Sequence, residues 1–85
     1  MTSSSDLASI ITWLTQWFSE RNPGVEIKAS VDFYEERYID SFGIIELIDV
    51  AEGEFNIMFD DDDFKKAQFR KIEGLAAIIQ EKLGG

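Results

Sequence analysis

The chain has 85 residues and a mass of 9.7 kDa, the size of one small domain with a thin core. It is 45% hydrophobic with seven Phe, two Trp and two Tyr, too apolar for a disordered segment. It has no Cys and no His, which excludes disulfides, thiolate metal sites, a Cys nucleophile and a Ser-His-Asp triad, and leaves a zinc site without its usual ligands.

The net charge of −9 should repel nucleic acid and anionic membranes and attract basic protein surfaces. No apolar run approaches the ~20 residues of a membrane span. Met1-Thr2-Ser3-Ser4-Ser5-Asp6 lacks the charged start and apolar block of a signal peptide. A soluble, cytoplasmic, monomeric domain over residues 1–85, with its core at about 6–83, is the expectation. The charge is uneven. Residues 1–31 carry a net of −1, residues 32–63 hold twelve acids against Arg37 alone, and residues 64–85 carry +3. The acidic middle is the candidate partner surface, against the blander reading of simple solubility.

Leu7, Ile10, Ile11, Leu14, Trp17 and Phe18 share one helical face. A first helix over about 6–20 follows, with Ser4, Ser5 and Asp6 as cap candidates and Trp13 half-buried at its flank. Asn22-Pro23-Gly24 stops it. Residues 25–39 show no sustained period. They read as a long loop pinned by Val25, Ile27, Val31 and Phe33, with one short turn of helix around Phe33–Arg37. Asp40-Ser41 then opens an apolar helix over about 41–55. Its core arc is Ile44, Ile45, Leu47, Ile48, Ala51 and Phe55, with Glu46, Asp49 and Gly53 opposite and Phe42 and Val50 near them. The acids Asp60–Asp63 suit a short third helix over about 62–68. Ile72, Leu75, Ala76, Ile79 and Leu83 give a last helix over about 71–83, poorly capped because Arg70 and Lys71 oppose its dipole. The expected architecture is all-α: a small four-helix up-and-down bundle, three helices long and one short, with a long first loop.

One stretch carries chemistry. It runs Tyr34-Glu35-Glu36-Arg37-Tyr38-Ile39-Asp40-Ser41-Phe42-Gly43-Ile44-Ile45-Glu46-Leu47-Ile48. A Ser stands at a helix start after a long loop, between Asp and Phe-Gly. The stretch resembles the prosthetic-group site of the acyl and peptidyl carrier protein family, whose core motif is Asp-Ser-Leu. Phe42 takes the Leu position, and Asp-Ser-Phe-Gly is most similar to the D-alanyl carrier subgroup. The likeness spans about Phe33 to Ile79, including the Phe55-x-Ile57 linker, the acid before Phe64 and Phe69 before the last helix.

The resemblance implies a stand-alone carrier, not an enzyme. Ser41 would accept 4′-phosphopantetheine from coenzyme A, through a phosphopantetheinyl transferase that uses Mg²⁺. The arm's thiol would carry acyl or aminoacyl groups as thioesters, loaded by a ligase or synthase and passed to a downstream acyltransferase or synthase. Fatty acid, lipid or polyketide synthesis is the expected setting, with an aminoacyl carrier as the alternative. Asp40 would cap the helix and help the transferase place its metal. Phe42, Ile45, Glu46, Asp49 and Glu52 would dock partners. Physical chemistry agrees with these roles. No local base accompanies Ser41, so self-activation is not expected, and a helix N-terminus suits a phosphodiester anion. Gly43 departs from the fatty-acid carriers, where an acid is common, and Arg37 replaces a small residue.

Other readings are weaker. An EF-hand counted from Asp60 meets Lys65 at its sixth position and Lys71 at its twelfth, so no metal site is expected. Phe55, Ile57, Phe59, Phe64 and Phe69 read as core rather than as a cleft for cargo. Gly84-Gly85 suggests a ubiquitin-like modifier, which needs a β-sheet that this sequence does not offer. An acidic helical module that binds a basic partner without modification is the remaining alternative.

Overall fold

A computed structural model describes residues 6–84. Among them lie four α-helices and a 3₁₀ turn: α1 (Leu7–Arg21), α2 (Ser41–Phe55), α3 (Asp61–Lys65), the 3₁₀ turn Ala67–Arg70, and α4 (Ile72–Lys82). The fold is a small all-α bundle. The described residues form no strand, only an isolated bridge between Asp32 and Lys71, so a ubiquitin-like sheet is ruled out. No helix among them is long and apolar enough to cross a membrane.

The core follows the helical stripes. Ile10, Leu14 and Phe18 of α1 meet Ile72, Leu75, Ala76, Ile78 and Ile79 of α4 in one cluster, which Leu47, Ala51 and Phe55 of α2 complete. Trp13 is half-buried, edge-on to Phe55 with ring centres 5.1 Å apart. The cap candidates Ser4 and Ser5 lie outside the described residues. Asp6 is the N-cap of α1, but its carboxylate accepts no backbone N–H there. Lys71 leaves α4 equally without a side-chain cap.

Two expectations are corrected. Ile45 was expected in the core arc of α2, yet it is 66% exposed. The arc was too wide for one face: Ile44, Leu47, Ala51 and Phe55 take the inner positions at spacings of three and four residues, and Ile45 falls outside them. The third helix is broken in two. Asp60 and Asp63 form a reciprocal capping box that starts α3, and Lys66, with an extended ψ of 132°, ends it before the 3₁₀ turn. Around Phe33–Arg37 the expected single turn of helix is present: the Glu36 N–H donates to Asp32 O at 3.0 Å. The Tyr38 N–H donates to Phe33 O and the Arg37 N–H to Tyr34 O, closing on Arg37 in the left-handed region at φ 62°.

The long loop is ordered by distant partners. The Phe33 N–H donates to Arg70 O at 2.8 Å and the Glu73 N–H to Ala29 O at 3.1 Å, lacing the loop to the start of α4. Arg70 donates to the Asp32 carboxylate at 2.6 Å and covers the Tyr34 ring. Asn22 Nδ2 donates to Phe18 O at 2.8 Å and Tyr38 O at 2.9 Å, joining the end of α1 to the approach to α2.

Two glycines on helices set a contrast. A Cβ at Gly74 would strike the carbonyl oxygen of Gln68 and lie 2.7 Å from its Cβ, whereas one at Gly53 would meet open space. Gly74→Ala is therefore expected to cost about 1–3 kcal/mol by overpacking. Gly53→Ala is expected to gain about 0.5–1 kcal/mol by lowering backbone entropy of the unfolded chain. Urea melts of the two variants check the opposite signs.

A second expectation concerns acid. Asp63 is buried and meets Lys82 at 2.7 Å and Lys66 at 3.6 Å. Burial pushes its carboxyl up. The Lys82 hydrogen bond, the Asp60 N–H and the charges of Lys82 and Lys66 outweigh that and hold it below its ordinary 3.8. A carboxyl lowered in the folded state stabilises fully above its unfolded value, and the contribution is lost as pH falls through the lowered one. Melting temperature should thus fall on acidification between about pH 5 and pH 2, and Asp63→Asn should flatten that limb. An unchanged slope in the variant would contradict the assignment. Lys82 is raised, mainly by its hydrogen bond to Asp63, so its contribution persists to above its ordinary 10.5.

Candidate functional site

Ser41 is the first residue of α2 and is exposed. Asp40 precedes it as N-cap, in extended conformation, and its Oδ1 accepts the Gly43 N–H at 2.8 Å. The first intrahelical bond runs from the Ile44 N–H to Asp40 O at 3.0 Å. The N–H groups of Ser41 and Phe42 and the Ser41 hydroxyl are left without a partner among the described residues. The capping role expected of Asp40 is thus present. The hydroxyl stands at an exposed loop-to-helix junction, and the neighbouring Asp40 carboxylate is committed through Oδ1 to the Gly43 N–H.

The predicted docking residues share the outer face of α2. Phe42 is 84% exposed, and with Ile45, Ile48, Glu46, Asp49 and Glu52 it lines a shallow trough of ≈ 490 Å³. The face interleaves apolar and acidic residues. Two of its acids are engaged elsewhere. Glu46 pairs with Arg21 of α1 at 2.6 Å, and Glu52 accepts the Phe59 N–H at 3.0 Å, bracing the linker after α2. Asp49 makes neither kind of contact.

The aromatic residues weighed as a cargo cleft are chiefly core. Phe55, Ile57, Phe59 and Phe69 are buried, and Phe64 is 44% exposed. Phe64 and Phe69 border a cleft of ≈ 280 Å³ with Tyr34, Ile44, Ile48 and Arg70. Burial pushes the Tyr34 hydroxyl up, against the pull of Arg70. Burial also raises Asp32, but the Arg70 hydrogen bond and the Glu35 and Tyr34 N–H groups overcome it and leave that carboxyl lowered.

On the other side of Ser41 lies a feature that sequence reasoning missed. Arg21, Arg37, Tyr38, Ile39, Asp40 and Gly43 line a depression of ≈ 400 Å³ between the end of α1 and the start of α2. Sequence alone gives Arg37 no role. Arg21, at the end of α1, gave no signal, because its approach to α2 depends on how the loop folds back.

No family model, curated protein or solved structure matches this chain.

Proposed function

We propose that the chain is a carrier protein whose Ser41 bears 4′-phosphopantetheine, acting as substrate and shuttle for partner enzymes. The observation that carries this reading is the exposed, unpartnered Ser41 hydroxyl on the first turn of α2, beside a carboxylate that caps the same turn. The surroundings fit the group. Free N–H groups and the positive end of a 15-residue helix dipole favour a phosphodiester at that position. Lack of Cys is no obstacle, because the arm supplies a terminal thiol that holds acyl or aminoacyl groups as thioesters.

In loading, Ser41 Oγ forms a bond to the pantetheine-side phosphorus of coenzyme A. The pyrophosphate linkage breaks, adenosine 3′,5′-bisphosphate leaves, and the hydroxyl proton passes to the transferase. Asp40 caps the helix start through Oδ1 and would offer its other carboxylate oxygen to a metal that the transferase brings. Phe42 and Ile45, interleaved with Glu46, Asp49 and Glu52, present a mixed apolar and acidic surface to partners with basic surfaces, where charge complementarity raises on-rate and selectivity.

A thiol titration tests the reading with no background, because the chain has no Cys. After incubation with coenzyme A, Mg²⁺ and a broad-specificity phosphopantetheinyl transferase, then removal of free coenzyme A, one thiol per chain is expected. A folded protein that stays free of thiol would favour the unmodified interaction module.

A further inference from the structure

The depression beside Ser41 holds a base that the fold does not use. Among the described residues the Arg37 guanidinium has no ion-pair, hydrogen-bond or ring partner, whereas Arg21 is paired with Glu46 and stacked on Trp17. Arg37 is also the one base within residues 32–63, against twelve acids. Its backbone, at φ 62°, is of the kind that Gly adopts without penalty, so the turn does not call for this side chain.

The space in front of Arg37 is shaped and walled. Tyr38 is fixed by the Asn22 amide on its carbonyl and by its own hydroxyl, which donates to Glu26 O at 3.1 Å. Position 43 carries no side chain. A Cβ there would lie 2.8 Å from Ile39 Cγ1 and 3.3 Å from Asp40 Oδ1, so Gly43 keeps this wall low. The Asp40 carboxylate borders the depression too, but its Oδ1 is committed to the Gly43 N–H.

We propose that Arg37 holds the phosphodiester of the arm on Ser41, drawing the anionic root of the arm into the depression between α1 and α2. This rests on the carrier reading above. A guanidinium matches phosphate oxygens with paired, charge-assisted donors. Without it the new anion would stand next to the Asp40 carboxylate, in a segment, residues 32–63, that is otherwise acidic. With it, the root of the arm turns away from Phe42 and Ile45 and leaves the apolar face of α2 free.

The test compares loaded wild-type, Arg37→Gln and Arg37→Gly proteins, each verified by intact mass. Arg37→Gly suits the left-handed turn, so it is expected to fold at least as stably as the wild type. On conversion from apo to holo, the Arg37 Nε–Hε resonance is expected to move more than that of Arg21 or Arg70. The ³¹P shift of the wild-type phosphodiester is expected to differ from a common value in the two variants, and the difference to shrink as salt rises. Equal ³¹P shifts in all three loaded proteins, with Arg37 unmoved, would overturn the proposal and leave the carrier reading intact. A wild type that never loads would overturn both. Inorganic phosphate added to the apo-protein is the control for free anions. It should move Arg37 only at millimolar levels or above, since attachment supplies a comparable effective concentration. A full response at micromolar phosphate would assign the depression to free anions instead.

Discussion

Ser41→Ala is expected to abolish cofactor loading and to leave the fold in place. The expected loss is complete, because the hydroxyl oxygen is the atom proposed to form the new bond and no other Ser or Thr stands on the first turn of α2. The fold survives because Ser41 is exposed and its side chain makes no hydrogen bond among the described residues, while the cap that starts α2 belongs to Asp40. Exposed substitutions away from caps and core usually change stability by less than about 0.5 kcal/mol. For a domain of this size that is a shift of under about 4 °C in melting temperature. Transfer of a fluorescent coenzyme A analogue, read on a gel beside a thermal melt, checks both halves. Label on the Ala variant would refute the site, and a collapsed melt would show that Ser41 is structural.

Phe33→Ala is expected to give the largest loss of stability, about 3–5 kcal/mol. Phe33 is fully buried although it belongs to the long loop. Its ring lies 5.0 Å from that of Phe18 and 5.3 Å from that of Tyr34, and its N–H is bonded to Arg70 O. The truncation opens a cavity under the turn that leads to Ser41 and loosens the lacing to α4. Small domains hold roughly 0.05–0.15 kcal/mol per residue, so the cost is a large share of the total. Melting temperature should drop by roughly 12 °C or more. Phe33→Leu, which keeps most of the buried volume, should lose clearly less. Near-equal melts for Phe33→Ala and the wild type would mean that the loop does not share the core.

The helices were legible where local chemistry marks them. α2 runs over Ser41–Phe55, as its cap and apolar pattern indicated, and α1 and α4 differ from expectation by one residue at their ends. Asp40 and the Asp60–Asp63 run announce helix starts through side chains that act on their own neighbourhood. The stop at Lys66 was not legible, because it depends on seating Phe69 in the core beside Phe59. The loop was legible only as a loop with one turn of helix. Its order comes from bonds such as Phe33 to Arg70 and Asn22 to Tyr38, which join residues far apart in sequence and leave no period behind. The same holds for the site. Ser41, Asp40 and the exposed Phe42 stand together because they are consecutive. The depression with Arg21 and Arg37 exists only once α1 and the loop close on α2.

The central claim is that Ser41 is an attachment point, and the intact mass of the protein tests it most directly. After incubation with coenzyme A, Mg²⁺ and a broad-specificity transferase, the chain should gain the mass of one phosphopantetheine, and peptide fragmentation should place it on Ser41. A helical, folded protein that gains nothing, or one that carries the group on another residue, would contradict the account.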